Sequence, residues 1–317
     1  MGTNFVTAFY SEFLNFPPLI LRLILSMAFL VFAFTGLSQQ YVDLIRVEYD
    51  HAIPQNFEDT TGEGSFDELA IDIVLPIVIN EKLAIVTGTL LEQSRVSLEP
   101  NSQTNLYGTM LKIGANIKHN ERWSGTYLFL PKFSSDLQRI RNRDIQFGGL
   151  ALIKYNVNKT FNYRFGVYSN GELHAPLVVP FFGIYLLKNN WEIQGALPIN
   201  AEINRQFGEH LKIGARFDGI NKSYYLNDGS KQYVEKVNNE IGILARAMFG
   251  NFHFQLFGGY AIGRSFRTYQ YGDRFDLAIS AIKINNERII QNQDFKDGPV
   301  FRLSFTYRLP TSDKEKP

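Results

Sequence analysis

Apolar and polar side chains alternate along many short segments of this chain. The pattern is clearest in 299–309, where the odd-numbered residues from Phe301 to Leu309 are apolar and the even-numbered residues from Arg302 to Arg308 are polar. Because successive side chains of a strand point to opposite faces, the segment is predicted to be a strand with one apolar and one polar face.

The same alternation recurs often enough to predict fourteen strands. They are 41–50, 66–79, 82–91, 107–118, 123–133, 145–156, 161–168, 178–188, 191–197, 199–207, 211–218, 240–249, 252–267 and 299–309. The count falls to twelve if the two segments on either side of Pro198 form one bent strand or a loop. Strands of about ten residues with an aromatic-rich face are typical of outer-membrane barrels. The predicted fold is therefore all-β: a transmembrane up-and-down antiparallel β-barrel, with fourteen strands favoured over twelve.

The connections alternate in length. Those after even-numbered strands are short, at 80–81, 119–122, 157–160, 189–190, 208–210 and 250–251, and most of those after odd-numbered strands are long, at 51–65, 92–106, 134–144, 219–236 and 268–298. Bacterial barrels have short periplasmic turns and long external loops, so both termini are predicted to lie in the periplasm. The last loop contains an apolar segment, 275–282, which is predicted to extend strands above the membrane rather than fold into the lumen as a constriction.

The N-terminus carries the longest apolar run, 19–34, interrupted near its start by Arg22 and followed by the small residues Gly36 and Ser38. This arrangement predicts a signal peptide at 1–38, a mature barrel at 39–309 and a charged tail at 310–317. The alternative is a permanent membrane helix, which the length of the run disfavours because a span needs about 20 residues.

Composition narrows the chemistry further. The chain has 317 residues, no cysteine and a net charge of +1. The absence of cysteine excludes disulfides, thiolate metal sites and a cysteine nucleophile, and the near-zero charge gives no argument for nucleic acid as a partner. The 27 phenylalanines and 16 tyrosines favour strands over helices.

Charged side chains on the polar faces should line the barrel interior, because a charge facing hydrocarbon is costly. The predicted lumen-lining residues are Arg46, Glu48, Asp72, Lys112, Lys154, Arg164, Glu192, Lys212, Arg216, Arg246 and Arg302. They form either an anion-leaning pore wall or a ladder of salt bridges that fills the barrel, with the ladder favoured. Aromatic girdles at the membrane interfaces are predicted from Trp123, Trp191, Tyr41, Tyr127, Tyr185 and Tyr307.

Catalytic chemistry has little support in the sequence. The five histidines, His51, His119, His174, His210 and His253, show no metal-binding spacing and no spacing with serine and aspartate that indicates a hydrolase. The glycines of 62–64 lack the strand-to-helix context of a phosphate-binding loop. We expect no enzymatic activity, no catalytic residues, no metal and no cofactor.

The motif Ser38-Gln39-Gln40, followed by aromatic alternating strands, resembles uncharacterised outer-membrane β-barrels of Bacteroidota. This resemblance implies an outer-membrane location in a Gram-negative cell, contact with outer-membrane lipids and insertion by the barrel-assembly machinery. The expected function is a porin-like passive pore or transport barrel for small solutes. The alternatives are a plugged structural or surface-recognition barrel and, less favoured, an outer-leaflet lipid-modifying enzyme.

Overall fold

A computed structural model of the chain describes residues 41–58, 61–294 and 296–310. The predicted signal peptide at 1–38 and residues 311–317 of the predicted tail lie outside the described residues. Within the described ranges, no helix is long and apolar enough to cross a membrane.

Sixteen strands are described. They are β1 (Tyr41–Asn56), β2 (Glu63–Asn80), β3 (Leu83–Val96), β4 (Thr104–Lys118), β5 (Trp123–Ser135), β6 (Ile145–Asn158), β7 (Phe161–Gly171), β8 (Pro176–Lys188), β9 (Trp191–Ala196), β10 (Asn200–Phe207), β11 (Leu211–Tyr225), β12 (Gln232–Phe249), β13 (Phe252–Gln270), β14 (Leu277–Ile279), β15 (Ile282–Ile284) and β16 (Pro299–Pro310). A short 3-10 helix (Asn142–Asp144) precedes β6.

Fourteen of these strands form a closed antiparallel ring. Consecutive strands from β1 to β13 pair with each other, and β16 pairs with both β13 and β1, which closes the barrel. The predicted fold and the count of fourteen are therefore confirmed. The twelve-strand alternative is wrong because β9 and β10 are separate strands, paired with each other from Asn200↔Ala196 to Arg205↔Trp191.

Several strands continue past their predicted ends on the side of the long connections. The clearest case is the predicted loop 219–236, most of which belongs to β11 and β12, paired from Gly219↔Asn239 to Tyr225↔Tyr233. There the side chains on the outer face are polar, so the alternation that marks the membrane-spanning part of each strand disappears. The short turns lie where the sequence predicts them, and Asn189 and Asn190 both adopt positive φ between β8 and β9.

The outer face of the barrel carries an apolar belt. Phe129, Phe147, Ile243, Leu256 and Leu303 are all more than half exposed, although they belong to regular paired strands. Large side chains of this kind are exposed in a folded protein when the surrounding medium is itself apolar, and the belt therefore has the chemistry of a lipid-facing surface.

The predicted aromatic girdles are only partly on this outer face. Trp123 and Trp191 are exposed beside short turns. Tyr41 and Tyr185 instead point inward, which makes the girdle prediction wrong for both. The Tyr41 hydroxyl donates to Glu192 and Gln194 at 3.0 and 2.6 Å, and Tyr185 is buried with the Arg164 guanidinium 5.4 Å from its ring.

One section of the wall is built from unusually short strands. β9 and β10 have six and eight residues, whereas β12 and β13 have 18 and 19. Residues 176–181 of β8 and 219–225 of β11 therefore extend beyond the β9–β10 hairpin, on the side of the long connections.

The apolar segment 275–282 fills part of this gap. β14 pairs in parallel with β8 at Ala278↔Leu177 and Ile279↔Val178, and β15 folds back on β14. Phe275 and Ala278 pack against Leu177 and Val179 of β8. The segment is thus an added piece of wall, a separate hairpin on the end of β8 rather than a continuation of β13 or β16.

Candidate functional site

The interior of the barrel is closed at the end that carries the long connections. We call this closure the external seal. It is the buried apolar cluster of Ala52, Phe57, Phe66, Val96, Leu98, Leu106, Tyr224, Leu226, Val234 and Phe266. These side chains come from the β1–β4 side and the β11–β13 side of the ring, and the Phe66 and Phe266 rings meet with centroids 5.1 Å apart.

The seal forms because the end of β11 leans across the lumen. Beyond Asp218, β11 has no β10 partner, and its last residue, Tyr225, pairs with Ser135 at the end of β5. The backbone N–H of Asp136 donates to the Tyr225 carbonyl at 3.1 Å. β5 and β11 are nearly opposite each other in the ring, so these bonds span the barrel.

Buried ion pairs cross the interior around the seal. Lys222 of β11 pairs with Glu92 of β3, and Lys236 of β12 lies 2.6 Å from Glu68 of β2. The Lys236 ammonium also lies 4.7 Å from the centre of the Phe66 ring. Since each pair joins strands that are not neighbours, the charges hold the two sides of the ring together as well as neutralising each other.

A connection after β7 adds a further link. Glu172 lies 2.7 Å from the Lys132 ammonium and accepts hydrogen bonds from the backbone N–H and hydroxyl of Ser223, at 2.8 and 2.6 Å. One carboxylate therefore binds β5 and β11 together. Because Glu172 and Lys132 are both almost fully buried, separating them would leave unpaired charges in an apolar setting.

Midway along the lumen, Arg302 of β16 holds three carboxylates. It pairs with Asp50 of β1, with Asp218 of β11 at 2.8 Å and with Glu240 of β12 at 2.6 Å. Arg216 joins the same group through Asp218, at 2.7 Å. The planar guanidinium can serve several acceptors at once, which suits a position where three strands converge.

The end with the short turns is crossed by Tyr41. Its hydroxyl reaches Glu192 and Gln194 of β9, on nearly the opposite side of the barrel. The Arg308 guanidinium lies 3.6 Å from the centre of the Tyr41 aromatic ring. Glu192 also accepts from Lys212 at 2.6 Å. The half of the lumen at the short turns is therefore constricted, but the described residues do not fill it by apolar packing.

All the predicted lumen residues lie on the inner, polar faces of their strands, and most of them form ion pairs. The residues in ion pairs are Arg46, Glu48, Asp72, Lys112, Glu192, Lys212, Arg216, Arg246 and Arg302. Lys154 and Arg164 are the exceptions, since neither has an ion pair among the described residues. They oppose each other directly in the β6–β7 register.

Sequence reasoning missed the interior charges nearest the external seal. Glu68, Glu92, Lys132, Lys222 and Lys236 lie on inner faces, but Glu92, Lys222 and Lys236 fell in predicted loops. The signal was available for Glu68, because it has the same parity as Asp72 on the same strand. Extending the alternation past the apolar stretch would have found it.

Below the seal the lumen contains a series of cavities. One of about 280 Å³ is lined by Val74, Val86, Asn116, Leu152, Lys154 and Arg164, and we call it the cation-lined cavity. A second, of about 170 Å³, also touches Arg164 and reaches Arg216. A third, of about 220 Å³, shares Arg216 and extends to Arg302. Each cavity shares wall residues with the next, so the three form a line through the interior.

The two sides of the lumen wall differ in polarity. On β2 to β6 the inward positions include many apolar side chains, namely Val74, Val86, Leu90, Met110, Leu128, Leu150 and Leu152, all only partly buried. The facing strands β10, β11, β12 and β16 supply mostly charged and amide groups at the same positions. A solute in the lumen would meet an apolar surface on one side and a polar surface on the other.

Outside the membrane-spanning part, His174 is the most unusual titratable group. It follows β7, stacks on Phe275 with ring centroids 5.2 Å apart, and has no hydrogen-bond partner on either ring nitrogen. Burial lowers the pKa of His174 to about 4. Within the described residues, no group of three or more histidine, aspartate or glutamate side chains could hold a metal ion.

Comparison with known proteins identifies the family but not an activity. The model of the family described as "Domain of unknown function (DUF6268)" matches residues 36–291, most of the chain, and the protein belongs to this family. No curated protein matches the chain.

Similar solved structures include outer-membrane channels. An outer membrane channel from Pseudomonas putida F1 is 8% identical, covers 87% of this chain and 100% of its own, and has a TM-score of 0.44. The NanC porin is 7% identical, covers 84% of this chain and 100% of its own, and has a TM-score of 0.37. The CymD monoaromatic hydrocarbon channel is 12% identical, covers 84% of this chain and 89% of its own, and has a TM-score of 0.33.

Proposed function

We propose that the protein is an outer-membrane barrel for passive transport of small solutes, and that the conformation described here is its closed state. The observation that carries this proposal is the line of cavities beneath the external seal. A barrel that served only as a scaffold would gain stability by filling its interior, because empty space forfeits packing contacts.

The apolar outer belt supports the outer-membrane location, since such a surface is stable only in contact with lipid. Outer-membrane lipids and the barrel-assembly machinery are the partners that follow from this location. Neither transport nor insertion requires an active site, so the proposal includes no catalytic residue and no cofactor.

The contact between Phe66 and Phe266 is suited to opening because it joins side chains rather than paired strands. Phe66 and Phe266 touch across the interior, while the backbone hydrogen bonds of β2 and β13 go to their own neighbours. Separating the rings would leave the ladder of the barrel intact. Opening would expose the cluster, at a cost on the order of 1.5–3 kcal/mol for each phenylalanine.

Conductance in a planar lipid bilayer tests the proposal. The double variant Phe66→Ala/Phe266→Ala should conduct more, or open more often, than the wild-type barrel, because it removes the two rings that meet at the seal. The matched control is Phe129→Ala/Phe147→Ala, which removes a stacked pair on the lipid-facing side, with centroids 6.1 Å apart. Heat-dependent mobility in detergent gels would show that all three barrels are folded. A folded seal variant that is as silent as the control would overturn the proposal.

A second candidate function is a permanently closed barrel that displays its external loops. The ion pairs inside the lumen favour it, because Lys222–Glu92 joins strands on nearly opposite sides of the ring and Lys236–Glu68 joins strands four positions apart. This candidate predicts no conductance from either double variant.

A further inference from the structure

The cation-lined cavity has an imbalance of charge that sets it apart from the rest of the described lumen. Lys154 and Arg164 face each other directly across β6 and β7. Like charges in this arrangement destabilise a sheet, and burying charges without a counter-ion costs more than exposing them. Elsewhere in the lumen the predicted cations have carboxylate partners.

The side chains around the pair do not supply the missing negative charge. The Lys154 side chain is largely buried with no ion pair among the described residues, and the Arg164 Nη2 atom is buried without a hydrogen-bond partner. Arg164 is held in place by Asn162, which accepts from its Nε at 3.1 Å, and by the ring of Tyr185. Its position is therefore fixed while part of its donor capacity stays unused.

The one carboxylate that lines the cavity is already engaged. Asp43 lies 2.5 Å from Arg46 and 2.5 Å from Arg308, so its charge is shared between two other guanidinium groups. Glu192, farther along the lumen, is bound by Lys212 and Tyr41. The cavity thus carries a net positive charge with donors directed into it.

Most of the remaining cavity wall is apolar, although Asn116, Ser124 and Thr126 also line it. Val74, Val86 and Leu152 line it together with Pro76 and Ala84. At about 280 Å³ the cavity is near the lower end of the size range of small-molecule sites. Inorganic anions would satisfy the two cations but would leave this apolar surface against water, whereas a carboxylate attached to a small apolar body would satisfy both.

We propose that the cation-lined cavity binds a small organic acid, with the carboxylate held by Lys154 and Arg164 and the apolar body against Val74, Val86 and Leu152. A carboxylate can accept from the ammonium and the guanidinium at once, and hydrogen bonds between charged groups are the stronger kind. The site stands on its own geometry. It rests on the proposed function only in treating the bound acid as a transported solute.

The experiment is a binding titration of the full mature protein, folded in detergent, by calorimetry. The probes are benzoate and hexanoate, with benzyl alcohol as the uncharged analogue of benzoate and inorganic phosphate as the anion without an apolar body. We expect saturable binding of at least one organic acid, with affinity for benzyl alcohol and for phosphate at least tenfold weaker. Absence of saturable binding by both acids, or equal affinity for phosphate, would overturn the proposal.

Three variants locate the site. Lys154→Gln and Arg164→Gln should each weaken binding of the acid about tenfold or more, because each removes one of two charge-assisted contacts. Lys188→Gln, which changes an exposed lysine of the same sheet, should leave the affinity unchanged. Equal affinity of the wild type and Lys154→Gln/Arg164→Gln would place the acid elsewhere and refute the site.

The titration needs no membrane, so it separates this inference from the proposed function. Binding without conductance would leave the site intact and favour the closed barrel. Conductance without binding would leave the pore intact and remove the organic acid as its specific solute.

Discussion

Acidification should release the β14–β15 hairpin from the barrel wall, and His174 is the reason. His174 belongs to the β7–β8 connection, and its buried imidazole stacks on Phe275 of the segment before β14. The backbone N–H of Phe275 donates to the His174 carbonyl at 3.1 Å. Burial is the largest influence on the pKa of His174 and lowers it to about 4, although the nearby carboxylates of Glu235 and Glu172 act in the opposite direction. The cations Arg288 and Lys283 lower it further.

The sign of the effect follows from proton binding. With the hairpin released, His174 would return to its ordinary pKa of about 6.5, so the released state binds a proton more readily than the docked state. The contribution of neutral His174 to the stability of the docked hairpin is fully present above about pH 6.5 and is lost as the pH falls from about 6.5 toward about 4. At pH 5 the two pKa values correspond to a change of about 30-fold in the docking equilibrium, or about 2 kcal/mol.

Hydrogen–deuterium exchange of residues 275–284 measures this change, after correction for the intrinsic exchange rate at each pH. Wild-type protein should lose protection in this segment between pH 7 and pH 5. The variant His174→Phe, which keeps an aromatic ring against Phe275 but cannot be protonated, should keep its protection over the same pH range. His119→Phe changes an exposed histidine in a short turn and should behave like the wild type. Equal loss of protection in the wild type and His174→Phe would refute the reasoning.

Two further predictions concern the stability of the barrel itself. Arg302→Leu should lower the free energy of unfolding in urea and detergent by about 3–5 kcal/mol, because it leaves Asp50 and Glu240 buried without their cation, whereas Arg122→Leu in an exposed turn should change it by less than about 0.5 kcal/mol. A small effect of Arg302→Leu would show that water already solvates those carboxylates. Gly183→Ala should cost about 1–3 kcal/mol, because the added methyl group would collide with the backbone of Gly195, while Gly258→Ala meets only the ring of Phe301 and should be nearly neutral. Heat-dependent gel mobility would rank the two glycine variants, and equal stability would show that β8 and β9 can move apart.

The membrane-spanning part of the fold was accessible from the sequence because lipid imposes a strict rule. Outward residues there must be apolar, whereas inward residues can be polar. In a segment such as β16 the two faces can therefore be recognised from the alternation of apolar and polar residues in the sequence. Above the membrane that rule no longer applies. The ends of β11 and β12, which carry Lys222 and Lys236, therefore looked like a polar loop.

The site was harder to predict, because alternation gives the face of a residue but not its partner across the lumen. Lys154 and Lys212 both occupy polar positions in an alternating segment. Lys212 forms an ion pair with Glu192, whereas Lys154 lies opposite Arg164 on the neighbouring strand. Partners across a barrel depend on its curvature and on where strands such as β11 leave the wall. Neither property is encoded in a short window of sequence.

The brevity of β9 and β10 also gives the barrel two different circumferences. The ring at the end with the short turns contains fourteen strands, but the β9–β10 hairpin does not reach the opposite rim, where only the short strand β14 is added beside β8. Since the diameter of a barrel grows with its number of strands, the molecule tapers toward the end that carries the long connections. The taper lets side chains of ordinary size meet across the narrow rim, so the described strands close the barrel there with their own side chains. Lengthening that one hairpin would be a direct way to engineer a wider mouth.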